Sequence, residues 1–383
     1  MDLKLDMTKQ YGIVLEGGGA RGSYQIGAWK ALREAGIQIR GIAGASVGAL
    51  NGALMCMDDL EHAEYIWENI AYSKVMDIDD ELMDQLKNGR LRDLKLKAVA
   101  ENALRLLKEG GFDIAPLKSL IAETVDEDRI RSSDRELYIT TFSVDEWKGI
   151  VVDVKSLPKG EIPDALLASA YFMAFRNEKL GGKRYMDGGG FNNVPVNVLI
   201  DKGYRDIIAI RIYGLGFDTE KVVEIPEGVS VSHIAPRQDL GGILEFDRKK
   251  AKRNMQLGYY DAMRLLYGLA GRVYYFDAPQ SEAYFFDKMM SEVELVKHYI
   301  RPELDEGEFE KLEGYRAFTE RIFPALAKQM KLKEGWDYKD LYLAVLESWA
   351  KEMRMNRFHI YTPDEITQKI QVQARKLDSF LPV

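Results

Sequence analysis

Residues 37–57 read as a strand, a tight turn and a helix, and the turn is Gly44-Ala45-Ser46-Val47-Gly48. Ile37–Ala43 is strand-like, and Ala49–Met57 is compatible with a helix. A glycine on each side of the turn lets the backbone reverse sharply. Ser46 would then be held exposed at the end of a strand, as in a G-x-S-x-G nucleophile elbow. Alone, the pentapeptide is also a Gly-Ser turn without chemistry, so its weight depends on its surroundings.

Upstream lie a strand (Tyr11–Glu16), a loop (Gly17–Gly22) and a helix (Ser23–Gly36). Followed by Ile37–Ala43, they have the spacing of a parallel βαβ unit. The loop is Gly17-Gly18-Gly19-Ala20-Arg21-Gly22. Three successive glycines allow backbone amides to converge at the positive end of a helix, which suits a phosphate or a developing oxyanion. The spacing does not fit G-x-G-x-x-G, and the Gly-Lys-Ser/Thr ending of a phosphate-binding P-loop is missing. Tight strand–helix packing is the bland reading. The oxyanion reading is preferred because adjacent parallel strands bring this loop close to Ser46, and the Val47 amide is a further donor.

A serine hydroxyl needs a base. The four histidines, His62, His233, His298 and His359, sit in no distinctive motif. Asp187-Gly188-Gly189-Gly190 is the better candidate, preceded by an apparent turn and short strand over Gly181–Met186. Its glycines would let the Asp187 carboxylate approach another loop. The competing reading is an ordinary surface Asp-Gly turn.

Composition narrows the class. With 46% hydrophobic and 30% charged residues, the chain reads as a soluble globular protein with room for one large domain and an appendage. A net charge of −8 argues against nucleic acid as the main partner. The lone Cys56 excludes an intrachain disulfide, suits a reducing compartment, and sits in an apolar run as a structural thiol would. The first residues lack the pattern of a signal peptide, and no apolar run reaches the length of a membrane span. A cytoplasmic protein is expected, with no cofactor and no metal.

The pattern is α/β through about residue 280 and mainly helical beyond. Further strands are expected at Leu137–Val144, Gly149–Val154, Asp206–Tyr213, Val229–Ile234 and Val273–Asp277, with helices at Ile162–Phe175, Glu308–Met330 and Leu341–Met355. Asp77–Lys97 is polar and weakly periodic, as in a surface insertion or lid. Thr362-Pro363-Asp364-Glu365 has a helix N-cap, a proline at the first helical position and a capping-box glutamate.

Three motifs together resemble the patatin-like phospholipases: Glu16-Gly17-Gly18-Gly19-Ala20-Arg21-Gly22, Gly44-Ala45-Ser46-Val47-Gly48 and Asp187-Gly188-Gly189, in the family's order. Ala168-Ser169-Ala170 and Asn192-Asn193-Val194-Pro195-Val196 extend the likeness, which spans about residues 8–280. Met173-Ala174-Phe175 departs from the family's usual Pro-Gly, and Glu16 stands where Asp is common. The resemblance implies a three-layer α/β/α sandwich with a mostly parallel sheet over residues 8–280, followed by a helical extension over 281–383. It implies a lipid acyl hydrolase with a Ser46–Asp187 dyad. Ser46 would form the acyl-enzyme and Asp187 would act as base. The oxyanion would lie among Gly17, Gly18, Gly19, Ala20, Arg21, Gly22 and Val47. For Arg21 a bracing role toward backbone carbonyls is preferred.

Two other readings stay open. The order Ser46, Asp187, His233 is that of an α/β-hydrolase triad. A non-catalytic lipid- or phosphate-binding scaffold would use the Gly loop as an anion nest. The basic run Arg248-Lys249-Lys250-Ala251-Lys252-Arg253 is most simply a solvated face, with peripheral membrane contact as the alternative.

Overall fold

The computed structural model describes residues 1–78, 80, 111–171, 175, 179–292, 295 and 315–378. The chain divides into two compact units, one spanning Lys4–Leu266 and the other Tyr267–Val383 together with Met1–Leu3.

The first unit is built on a sheet of seven strands. These are β1 (Gln10–Leu15), β2 (Gln38–Ala45), β3 (Glu136–Ser143), β4 (Lys148–Asp153), β5 (Tyr185–Asp187), β6 (Asp206–Ile210) and β7 (Ser230–Ile234). The order is β4-β3-β2-β1-β6-β7, and β5 pairs with β3. β1, β2, β3, β6 and β7 run parallel, while β4 and β5 join β3 antiparallel. The expected βαβ unit is present. β1 leads through the Gly loop into α1 (Ser23–Glu34) and then into β2.

Side chains alternate between the two faces of the sheet, as strand geometry requires. Val14 and Ala43 pack with Val196, Val198 and Leu199 of the Val196–Asp201 helix. Leu15 and Ile42 point the other way, toward Gly52 on α2 (Val47–Cys56). Near-continuous apolar strands such as Ile207–Ile210 follow from this burial on both faces. Helices thus cover both sides of a mostly parallel sheet.

Two expectations change. The helix read as Ile162–Phe175 ends at Ser169. There its backbone is captured by the Asp187 loop: the Asp187 amide donates to the Tyr171 carbonyl (2.9 Å) and the Gly188 amide to that of Ser169 (3.1 Å). The strand read at Val273–Asp277 shortens to Tyr275–Phe276 (β8) and pairs with Ile360–Tyr361 (β9), not with the large sheet. Most of Asp77–Lys97 and the first part of Glu308–Met330 lie outside the described residues.

The second unit is mainly helical. Its core joins Phe285, Phe323, Leu326, Tyr342, Leu346 and Ile366. Tyr274 and Phe276 are buried in the same core. The Glu347 carboxylate accepts hydrogen bonds from the amides of Arg272, Val273 and Tyr274, which anchors the chain entering β8. The capping box at Pro363–Asp378 forms as read: the Thr362 amide donates to Glu365 Oε2 (2.8 Å), and the Glu365 amide to Thr362 Oγ1 (3.3 Å).

Candidate active site

Ser46 sits between the last residue of β2 and the first of α2, with φ 53° and ψ −124°. A non-glycine residue rarely adopts this backbone, and the strain marks the sharp reversal of a nucleophile elbow. The flanking glycines are required by close approach. A Cβ at Gly44 would lie 2.4 Å from the Gly48 carbonyl oxygen, and one at Gly48 would lie 2.2 Å from that of Leu15. The Ser46 amide donates to Ser169 Oγ (3.1 Å), and Ser169 Oγ donates to the Thr140 carbonyl (2.7 Å).

Sheet register explains how Asp187 reaches this turn. β2 ends with Ala45 opposite Thr140 of β3. One residue further along β3, Thr141 is opposite Asp187 of β5. The short β5 thus takes over the edge of β3 where β2 stops. Ser46 Oγ donates a 2.6 Å hydrogen bond to Asp187 Oδ2. The other carboxylate oxygen, Oδ1, accepts the Gly189 amide (2.8 Å). Burial raises the Asp187 carboxyl to about 6, against the hydrogen bonds from Ser46 and Gly189 that pull it down.

β1 lies beside β2, with Leu15 opposite Gly44, so the Gly loop after β1 borders Ser46. Its amides are not equivalent. That of Gly17 donates to the Asn193 carbonyl, that of Ala20 to Ile243 and that of Arg21 to Gly18. The amides of Gly18 and Gly19 have no such partner among the described residues. Of the loop, Gly17, Gly18 and Gly19 line a cavity that also holds Ser46, Val47 and Asp187. Ala20, Arg21 and Gly22 do not line it. Gly22 instead packs toward Asn51 and Trp67 as the chain enters α1. Arg21 braces backbone, donating to the carbonyls of Gly241 (2.7 Å) and Tyr213.

Three contributors carry no role in the sequence reading. Glu16 is buried and accepts from the amides of Ile212, Tyr213 and Gly214 while pairing with Arg211, so it fixes the loop after β6 against the Gly loop. Asn193 holds Gly17 through both its backbone carbonyl and its side-chain amide. Ser169 holds the Ser46 amide. Asn193 and Ser169 stand in segments noted only for their likeness to a family, and nothing local in the sequence announces what they bind.

His233 does not join the site. It lies on β7, three strand spacings from β2 across β1 and β6. At about 4.8 Å per spacing that is roughly 14 Å. Its Nε2 pairs with Glu220, which in turn pairs with Arg211. The Ser46–Asp187–His233 triad is therefore excluded by the strand order.

The cavity holds about 300 Å³. Beyond Ser46 it is walled by apolar side chains from α2, from α3 (Leu60–Glu68) and from α4 (Ala115–Thr124), among them Leu54, Ile66, Trp67, Leu117 and Ile121. Phe175 also lines it, while Met173 and Ala174 lie outside the described residues. Cys56 is buried, and its thiol is pushed up by desolvation, as suits a structural residue.

Residues 13–200, which contain the Gly loop, Ser46 and Asp187, match the family model of the patatin-like phospholipases. The chain carries a patatin-like phospholipase domain. A neuropathy target esterase, sws, of Drosophila sechellia is 57% identical over 47 residues, 12% of this chain and 3% of that protein. The lysophospholipase nte1 of Aspergillus terreus is 58% identical over 50 residues, 13% of this chain and 3% of that protein. The chain thus spans only about 3% of the length of these relatives. Among solved structures, VipD from Legionella pneumophila aligns over 89% of this chain and 83% of its own, at 13% identity and a TM-score of 0.43. In this patatin-like domain the motif residues that lie 141 positions apart in the chain are hydrogen-bonded to each other. No helix among the described residues is long and apolar enough to cross a membrane.

Proposed function

We propose that this protein hydrolyses acyl esters of lipids through a Ser46–Asp187 dyad, with no histidine in the reaction. The observation that carries the reading is the 2.6 Å hydrogen bond from Ser46 Oγ to Asp187 Oδ2 at the end of an apolar cavity. A buried carboxylate with a raised pKa is a better proton acceptor than an exposed one, because its affinity lies closer to the working pH.

In this mechanism Ser46 Oγ attacks the ester carbonyl carbon as its proton passes to Asp187. The oxyanion accepts hydrogen bonds from the amides of Gly18 and Gly19, with Val47 as a further donor. Each such donor is worth about 3–4 kcal/mol of barrier. Collapse expels the alcohol, which takes the proton from Asp187. Water then attacks the acyl-enzyme, gives its proton to Asp187, and the carboxylic acid leaves as Ser46 is restored. The apolar walls accept the acyl chain, consistent with the lysophospholipase and esterase named among the relatives. The lone buried Cys56 favours a cytoplasmic setting.

The test is covalent capture by a fluorophosphonate probe together with turnover of p-nitrophenyl esters. Labelling at Ser46, lost in Ser46→Ala along with turnover, supports the proposal. Absence of labelling in a folded wild-type protein favours a binding scaffold and overturns it.

A further inference from the structure

We propose that the mouth of the Ser46 cavity is a docking face for an anionic lipid bilayer. The inference rests on the lipid hydrolase reading for its purpose, but it stands on the surface itself. Two loops flank the Gly loop at this mouth. Leu215 on one and Leu244 on the other both line the cavity. Arg21 ties the two together through the carbonyls of Tyr213 and Gly241. The Ala20 amide adds a bond to Ile243.

The loop after β6 also presents apolar side chains to solvent. Leu215 is 75% exposed, Tyr213 56% and Phe217 52%. Single exposed apolar residues are ordinary on any surface, but a group at the rim of an apolar cavity marks an interaction site. The apolar surface continues inward to Ser46, so a lipid chain entering from a bilayer need not cross water.

Charge favours a bilayer as the occupant. Residues 239–253 hold five cations and three anions, on a chain of net charge −8. The anions are engaged locally. Glu245 pairs with Lys250, Asp247 accepts the Lys250 amide (2.9 Å) at the start of the helix Arg248–Tyr267, and Asp239 accepts the Gly241 amide (3.0 Å). Lys252 lies 3.4 Å from Glu68, and Arg253 donates to the Asp239 carbonyl. Arg248 and Lys249 are exposed and form no ion pair among the described residues. Cations at a helix start oppose its dipole, and Asp247 and Glu245 offset part of that cost. Unpaired cations beside an apolar rim form the pattern of an interfacial surface, with apolar groups entering the headgroup layer and cations meeting anionic lipid.

The full chain is tested by co-sedimentation with vesicles of phosphatidylcholine alone and of phosphatidylcholine mixed with phosphatidylglycerol. Hydrolysis of soluble p-nitrophenyl butyrate is measured in parallel. The wild type is expected to prefer the anionic vesicles and to be released by salt. Arg248→Glu with Lys249→Glu should weaken partitioning by about tenfold or more. Phe217→Ser should weaken it on both vesicle types. All variants should cleave the soluble ester at the wild-type rate. Equal partitioning onto neutral and anionic vesicles, or undiminished partitioning of the charge-reversed variant, overturns the proposal. A wild type that cleaves the soluble ester yet ignores vesicles overturns the docking face alone. One that binds vesicles but cleaves no ester overturns the hydrolase reading alone.

Discussion

Asp187→Asn separates the chemistry of this carboxylate from its effect on stability. Asparagine keeps an oxygen for the Gly189 amide, which now lies 2.8 Å from Asp187 Oδ1. Its amide group replaces Oδ2 opposite Ser46 and can donate to Ser46 Oγ, but it cannot accept a proton. Loss of a positioned base typically costs about 10²- to 10⁴-fold. The stability change has the opposite sign. Burial raises the Asp187 carboxyl from 3.8 to about 6 in the folded protein. Between those values the native state holds a proton that the unfolded chain has released, so unfolding becomes easier as pH rises through this window. At about 1.36 kcal/mol per unit, the roughly two units amount to about 3 kcal/mol, fully lost above pH 6 or so. Asparagine carries no charge to desolvate. Thermal melts of both proteins should nearly coincide around pH 4 and diverge around pH 8, with the variant higher by several degrees at about 2–4 °C per kcal/mol. Ester turnover at pH 8 should fall by about 10²- to 10⁴-fold. Turnover within about tenfold of wild type refutes Asp187 as the base. Equal melting temperatures at pH 8 refute the burial argument.

Other expectations follow from the same geometry. For wild type, kcat/KM on a soluble ester should rise with pH, reach half its plateau near pH 6 as the Asp187 carboxyl ionises, and level off about one unit higher; a profile flat from pH 4 to 8 contradicts the raised carboxyl. His233→Ala should hydrolyse at the wild-type rate within about twofold, since His233 serves the Glu220–Arg211 network rather than Ser46; a loss of several orders of magnitude restores the triad. Leu120 lines the cavity without being fully buried, so Leu120→Trp should shorten the accepted chain. Kinetics on p-nitrophenyl butyrate and dodecanoate should show the longer ester losing about tenfold or more relative to the shorter.

Much of the site was legible because its parts are local. The Gly44–Gly48 turn, the Gly17–Gly22 loop and the cap at Thr362 each satisfy backbone demands within a few residues, so residue type and spacing disclose them. Helix ends were less legible. Ile162–Ser169 stops where it does because the Asp187 loop captures the carbonyls of Ser169 and Tyr171 from a distant part of the chain. Tyr275–Phe276 has a strand's composition, but its partner is Ile360–Tyr361, and composition does not choose partners.

By itself, then, the sequence determined a tight serine turn, a glycine-rich loop and an Asp-Gly segment, because glycine and turn preferences act over a few bonds. Only the tertiary structure decided which of these meet. β5 enters beside β3 at the residue where β2 ends, and that register closes the 141-residue gap between Ser46 and Asp187. The same strand order puts His233 three strands away. It also decides which loop amides stay unpaired, since the carbonyls that engage Gly17 and Ala20 come from Asn193 and Ile243, far along the chain. Pairing of strands and burial of a carboxylate are non-local events, and no window of sequence contains both partners.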